Sequence, residues 1–192
     1  MPPRSGLTVL RLTPICVVAV LCLAPLVRAQ SGTTFTATAT VKTRGGVTST
    51  APLSVMVDRF SSDSDRDAVL AAIKTGGTDA VRSLLLPRPP IGTLKLGDSV
   101  TSIKYVYQRT TPEGRLITAV TGSVIAYVGA AAPGAPVKSG FYLGLVMLVV
   151  PTAGEGHGEL MPATKVRLDD QGAIVTDGYS DEVVQLSKVL GK

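Results

Sequence analysis

Hydrophobic and polar residues alternate along much of the chain, which is typical of β-strands that bury one face. Residues 33–43 (TTFTATATVKT) place Phe35, Ala37, Ala39 and Val41 on one side and mostly threonines on the other. A second alternating run includes Leu53, Val55 and Val57, after a break at residues 44–46 (RGG). These two runs predict an antiparallel pair of strands near the start of the domain.

Residues 62–86 follow a different pattern, which predicts a helical insert. Ser62 stands before several acidic residues, as at a helix N-terminus, and Gly76 with Gly77 marks a helix end. Thr78 caps a second short helix, which Pro87 stops. We therefore expect an αα-hairpin whose buried face is formed by Val69, Ala72, Ile73, Val81, Leu84 and Leu85.

From residue 91 onward the chain again has the character of strands. Ile103, Tyr105 and Tyr107 alternate with polar residues and are expected to share one face. Residues 141–150 (FYLGLVMLVV) are too few for a membrane helix and too uniformly apolar for an outer-membrane strand, so they predict a strand buried on both faces. With about nine strands, the predicted fold is mainly β (α+β): an antiparallel barrel-like or sandwich sheet with an inserted αα-hairpin.

Residues 1–29 have the three parts of a secretory signal peptide. Arg4 and Arg11 precede an apolar core at residues 15–26, and Val27 and Ala29 are the small residues before the predicted cleavage point. The apolar core is too short for a stable membrane anchor. We expect an exported protein, periplasmic or extracellular, with one domain at residues 30–192 and no stable membrane span after cleavage.

Cleavage changes the composition of the chain. The full sequence has 19 basic and 14 acidic residues, and the signal holds three of the basic ones, so 16 basic residues face 14 acidic ones in the mature chain. These charges are scattered, which argues against a nucleic-acid partner. Both cysteines, Cys16 and Cys22, lie in the signal, which excludes disulfides and thiolate chemistry from the mature domain. No motif for a nucleotide or other cofactor occurs, and no cofactor is expected.

A metal site is one alternative that the sequence leaves open. Glu155, His157 and Glu159 would point to one side of an extended segment, and His157 is the single histidine of the chain. Alternate strand residues lie about 6.6 Å apart, so three ligands on one ion need a curled backbone. The competing interpretation is a solvated hairpin turn. A metal-dependent hydrolase centred on these three residues is the alternative function.

A ligand cavity is the other possibility. If the sheet closes as a barrel, an apolar cavity above about 300 Å³ is expected, although a packed core would use the same residues. The leading hypothesis is thus an exported, non-enzymatic protein that binds an apolar small molecule or an envelope partner. The candidate ligand-binding residues are Tyr105, Tyr107, Tyr127, Phe141 and Tyr142.

Three stretches of the mature chain read VDRFSSDSDRDAVLAAIKTGGTDAV, TSIKYVYQRTTPEGRLITAV and GEGHGELMPATKVRLDDQGAIV. In these stretches and in their order the chain resembles a group of uncharacterised exported proteins of Acidobacteria-type bacteria. The resemblance implies export and the same layout of elements. It transfers no functional residue, because the group has no assigned activity. The apolar residues 141–150 depart from the mixed polarity expected of the group. A surface for a ligand or partner in this stretch is therefore a further alternative.

Overall fold

The computed structural model describes residues 32–42, 48–126, 139–170, 174–178 and 184–192. The predicted signal segment at residues 1–29 and the candidate Tyr127 lie outside the described residues.

Nine strands and one helical element make up the described fold. All strand pairs are antiparallel. In chain order the elements are β1 (Thr33–Lys42), β2 (Thr48–Val57), α1 (Asp63–Leu85), β3 (Gly92–Leu96), β4 (Ser99–Thr111), β5 (Gly114–Thr121), β6 (Leu143–Pro151), β7 (Gly156–Leu168), β8 (Ile174–Gly178) and β9 (Val184–Gly191).

The sheet closes on itself as an eight-stranded barrel. Its strand order is β6-β5-β4-β3-β2-β1-β9-β7, and pairing between β6 and β7 completes the circle. The strand β8 is an additional one that pairs with the far half of β7. The predicted mainly β fold is confirmed, and of the two expected forms the sheet is a barrel rather than a sandwich.

The inward-facing residues of the barrel form one contiguous apolar cluster. Phe35, Val55, Leu94 and Ile117 are fully buried within it, and Leu148 is 1% exposed. An eight-stranded barrel is just wide enough for side chains to fill its interior. The alternation in residues 33–43 therefore reflects a strand with one buried face, as predicted, because its apolar residues belong to this cluster.

A second apolar cluster lies outside the barrel, under α1. Val69, Ile73, Val81 and Leu85 of the helix pack there against outward-facing residues of β4, β5 and β6. β6 contributes side chains to both clusters. Val146 and Leu148 point into the barrel, whereas Leu143 and Leu145 point to the helix. The uniformly apolar residues 141–150 thus contain a strand buried on both faces, as predicted.

The helical insert consists of two helical segments that meet at the glycine pair, where the sequence predicts the break. It is one element that is interrupted at Gly76 and Gly77, where the backbone leaves helical geometry, with φ of +57° at Gly77. A glycine accepts this conformation without steric cost, so the chain changes direction with no connecting loop. The two segments then both reach the apolar cluster outside the barrel.

The register of β4 corrects one expectation. Ile103 pairs with Thr121, but Tyr105 pairs with Val120, so the register shifts at Lys104. Such an extra residue reverses the alternation beyond it. Ile103 therefore faces the barrel interior while Tyr105 and Tyr107 face outward, and the prediction that all three share a face is wrong.

Candidate functional site

The four described aromatic candidates, Tyr105, Tyr107, Phe141 and Tyr142, do not belong to the apolar cluster inside the barrel. Tyr105 and Tyr107 stack on the outer surface, with ring centroids 6.4 Å apart, and take part in the cluster under the helix. Burial raises the pKa of Tyr105 to about 12, and the neighbouring Tyr107 adds to the shift. Tyr107 donates a hydrogen bond to Asp63 Oδ1 (2.7 Å) and accepts one from Arg66 Nη1 (2.8 Å). Both tyrosines therefore attach the helix to the barrel.

Phe141 and Tyr142 lie directly before β6 and contact cations. The Lys165 ammonium is 4.8 Å from the centre of the Phe141 ring, and the Arg82 guanidinium is 4.7 Å from that of Tyr142. These are cation–π contacts between neighbouring elements. Phe141 is buried, while Tyr142 is half-buried.

The metal candidates lie on the outer surface near the start of β7. Glu155 and His157 are exposed and Glu159 is half-buried, while the intervening Gly156 and Gly158 are buried. Within the described ranges, no three His, Cys, Asp or Glu side chains are grouped closely enough to hold a metal ion. The three residues are therefore not brought together as a metal centre.

A groove with a basic lining lies at one end of the barrel, where β2 leads into α1 and α1 leads into β3. Its volume is about 240 Å³. We call it the basic groove, and it is lined by Arg59, Phe60, Ser61, Asp65, Arg88, Pro89, Ile91 and Lys104. Ile91 forms part of its wall and also belongs to the apolar cluster inside the barrel, so the groove rests directly on the packed core.

Backbone hydrogen bonds fix the segment that carries Arg59 and Phe60. Asp58 N–H donates to the Ile91 carbonyl (3.0 Å), and Ser61 N–H donates to the Val106 carbonyl (2.7 Å). The Ser61 hydroxyl accepts in return from Val106 N–H (3.2 Å). The linker between β2 and the helix is thus held against Ile91, directly before β3, and against Val106 of β4.

The cations of the basic groove differ in how they are engaged. Arg88 forms an ion pair with Asp65, with 2.9 Å between Nη1 and Oδ1, and Lys104 Nζ donates to the Arg88 carbonyl at 2.6 Å. Among the described residues, the Arg59 side chain has neither an ion-pair nor a hydrogen-bond partner. Three cations therefore face a single carboxylate, and one of them is available to a ligand.

Asp65 links the groove to the start of the helix. Its Oδ2 accepts from the backbone N–H (3.0 Å) and the hydroxyl (2.9 Å) of Ser62, while the Asp65 N–H donates to Ser62 Oγ (3.1 Å). This reciprocal arrangement is a capping box. The Ser62 backbone bond is the main reason that the pKa of Asp65 lies below 3.8, and Arg88 contributes further. Asp65 therefore stays ionised and holds Arg88 in place.

A second depression, of about 290 Å³, lies between the helix kink and β7. Its two cations already have partners, since Lys165 lies over Phe141 and Arg167 forms a 2.9 Å ion pair with Asp177. The basic groove is therefore the stronger candidate of the two.

Sequence reasoning missed the basic groove because its cations are far apart along the chain. Arg59, Arg88 and Lys104 come from two linkers and a strand, and only the closed fold brings them together. No local sequence pattern marks the groove either, because the direction of the Lys104 side chain depends on the register shift in β4. Lys104 lies between Ile103 and Tyr105, which the structure places on opposite faces, and a bulge there directs an extra side chain outward.

Comparisons of the chain with protein-family models, with curated proteins and with solved structures gave no match. In the described part of the chain, no helix has the length and apolar character needed to cross a membrane.

Proposed function

We propose that this chain is an exported, non-enzymatic binding protein that holds a small anion in the basic groove. The single observation that carries the proposal is the convergence of Arg59, Arg88 and Lys104 around one carboxylate, with Arg59 unpaired among the described residues. Arginine is well suited to this task, because its planar guanidinium matches carboxylate and phosphate groups and is weakly hydrated.

The packing of the barrel favours the groove over the interior as the binding region. The interior is occupied by a contiguous set of buried side chains, which includes Phe35, Leu94 and Leu148. A ligand there would have to displace them, and emptying the space of one buried leucine costs about 2–5 kcal/mol. The groove needs no such rearrangement, because it already opens to solvent.

Export is the second element of the proposal, and the charged start, apolar core and small residues of positions 1–29 support it. Residues 30–192 contain no cysteine, so after export the domain would depend on its apolar core, and not on disulfides, for stability. The ligand would then be a small anion of the envelope or of the surroundings of the cell.

Calorimetric titration of the purified protein with inorganic phosphate, sulfate and acetate tests the proposal. Ionic strength is held near 0.15 M with sodium chloride, so that general screening does not vary. We expect saturable one-site binding of at least one of these anions. Arg59→Ala should weaken binding at least tenfold, because a charge-assisted hydrogen bond contributes about 1.5–3 kcal/mol.

Arg109→Ala is the matched control. Arg109 is an exposed arginine of the same strand as Lys104, about 17 Å further along at 3.3–3.4 Å per residue. Its removal changes the net charge equally and should leave binding within twofold of the wild type. Equal losses in the two variants, or no binding of any of the anions, would reject the groove as an anion site.

A further inference from the structure

We infer that the ligand of the basic groove is an organic anion in which the charged head group is joined to one aromatic ring, and that Phe60 receives this ring. The inference rests on the proposed function and adds the class of ligand. Phosphate and carboxylate head groups share the chemistry that Arg59 and Arg88 recognise, and the experiment below separates them.

Phe60 is an exposed aromatic side chain of the groove. In the described part of the chain six large apolar side chains are exposed, and Phe60, at 37%, is the aromatic one among them. It follows Arg59 directly in the chain and lines the same groove, so an aromatic face and an unpaired guanidinium open onto one space. A ring that stacks on Phe60 would cover apolar surface that water now contacts.

The groove offers further apolar surface. Pro89 and Ile91 also line it, on the segment that leads from the helix into β3. The cations and the apolar side chains thus come from the same two linkers, with Lys104 of β4 between them. This arrangement suits a ligand that has one charged end and one apolar end.

The volume limits the size of that ligand. At about 240 Å³ the groove is smaller than the range of roughly 300–1,000 Å³ that is typical of drug-sized ligands. A single ring with one head group fits this limit better than a fatty acid or a nucleotide. Asp65 adds a restriction, because a second anionic group on the ligand would meet its carboxylate, which a lowered pKa keeps ionised.

The experiment compares two matched pairs of ligands by calorimetry: phenyl phosphate with methyl phosphate, and benzoate with acetate. Within each pair the head group is constant and only the apolar part changes. We expect the wild type to bind the aromatic member of at least one pair about tenfold more tightly, which corresponds to 1.4 kcal/mol. The pair that shows this preference identifies the head group.

Phe60→Ala should reduce this preference to less than about twofold, because the ring face that would contact the aromatic ligand is removed. Phe60→Leu keeps apolar bulk without a ring face and should lose most of the preference. Val100→Ala is the control, since Val100 is 65% exposed on β4 and does not line the groove. Circular dichroism and the thermal midpoint of each variant establish that it is folded before binding is compared.

The outcomes separate the two proposals. If neither member of either pair binds, the proposed function fails. If the members of each pair bind equally well and Phe60→Ala changes nothing, the aromatic ligand class is rejected and the anion site stands. If the preference persists in Phe60→Ala and Phe60→Leu, the ring lies elsewhere and the role assigned to Phe60 is wrong.

Discussion

Replacement of Phe35 by alanine tests whether the barrel interior is a packed core. Phe35 is fully buried, and its ring lies so close to β9 that a Cβ atom on Gly191 would come within 3.2 Å of Phe35 Cε1. The surrounding side chains are held on a closed sheet, so the space left by the ring collapses only in part. Phe→Ala changes in such surroundings cost about 3–5 kcal/mol.

The loss should be visible in both chemical and thermal unfolding. For a domain of 150–250 residues each kcal/mol lowers the thermal midpoint by about 2–4 °C, so Phe35→Ala should lower it by about 6–20 °C. Urea unfolding followed by circular dichroism at pH 7 gives the free energy of unfolding directly.

Thr36→Ala is the matched control, because Thr36 is the next residue on β1 and its side chain is half-buried on the outer surface. It should cost less than about 1 kcal/mol. If Phe35→Ala costs no more than Thr36→Ala, the interior is not a packed core, and the reason for placing the ligand outside the barrel is lost.

Three further predictions concern single groups. Asp65→Asn should cost about 0.5–2 kcal/mol by weakening the helix cap. Because the pKa of Asp65 is lower in the folded chain, its contribution is present above pH 4 and is lost as pH falls through the lowered pKa. The variant should therefore lose less stability than the wild type in an acid titration of the unfolding midpoint, and an equal loss would contradict this role. The pKa of Tyr105 is raised to about 12, so the folded state favours the neutral phenol and the free energy of unfolding should fall as pH rises from 10 to 12. Tyr105→Phe should make this fall with pH smaller. An unchanged pH dependence in urea unfolding would contradict this role of Tyr105. Gly114→Ala should lower the free energy of unfolding by at least about 1–3 kcal/mol, because φ is +141° and the new Cβ would lie 2.3 Å from the Val150 carbonyl oxygen. An unchanged thermal midpoint would show that the backbone at Gly114 can move to admit the side chain.

Much of the fold could be predicted from local patterns. The alternation around Phe35 gives the first strand, and the uniformly apolar residues 141–150 contain a strand buried on both faces. The glycine pair at residues 76–77 marks the helix interruption. Each of these features depends on the residue's own backbone preference or on a face that is buried along one element.

The closure of the barrel and the register of its strands could not be predicted from such local patterns. The pairing of β6 with β7 depends on contacts across the sheet, and the shift at Lys104 reverses the faces of Tyr105 and Tyr107 without a change in composition. For the same reason the tyrosines suggested a cavity lining, whereas they lie beneath the helix. The basic groove could not be predicted from the sequence, because its three cations meet only after the linkers on both sides of the helix are folded against the barrel.

Anion binding in the basic groove is tested most directly by titration of the ¹⁵N-labelled protein with phenyl phosphate, followed through the backbone amide shifts. Binding in the groove should give saturable shifts with one dissociation constant at the amides of the basic groove, notably Ser61, Ile91 and Lys104. Amides at the far end of β4, such as Arg109, should not move. Shifts centred on interior residues such as Phe35 and Leu148, or no saturable shift at all, would contradict the claim that this protein binds an anion in the groove outside its packed barrel.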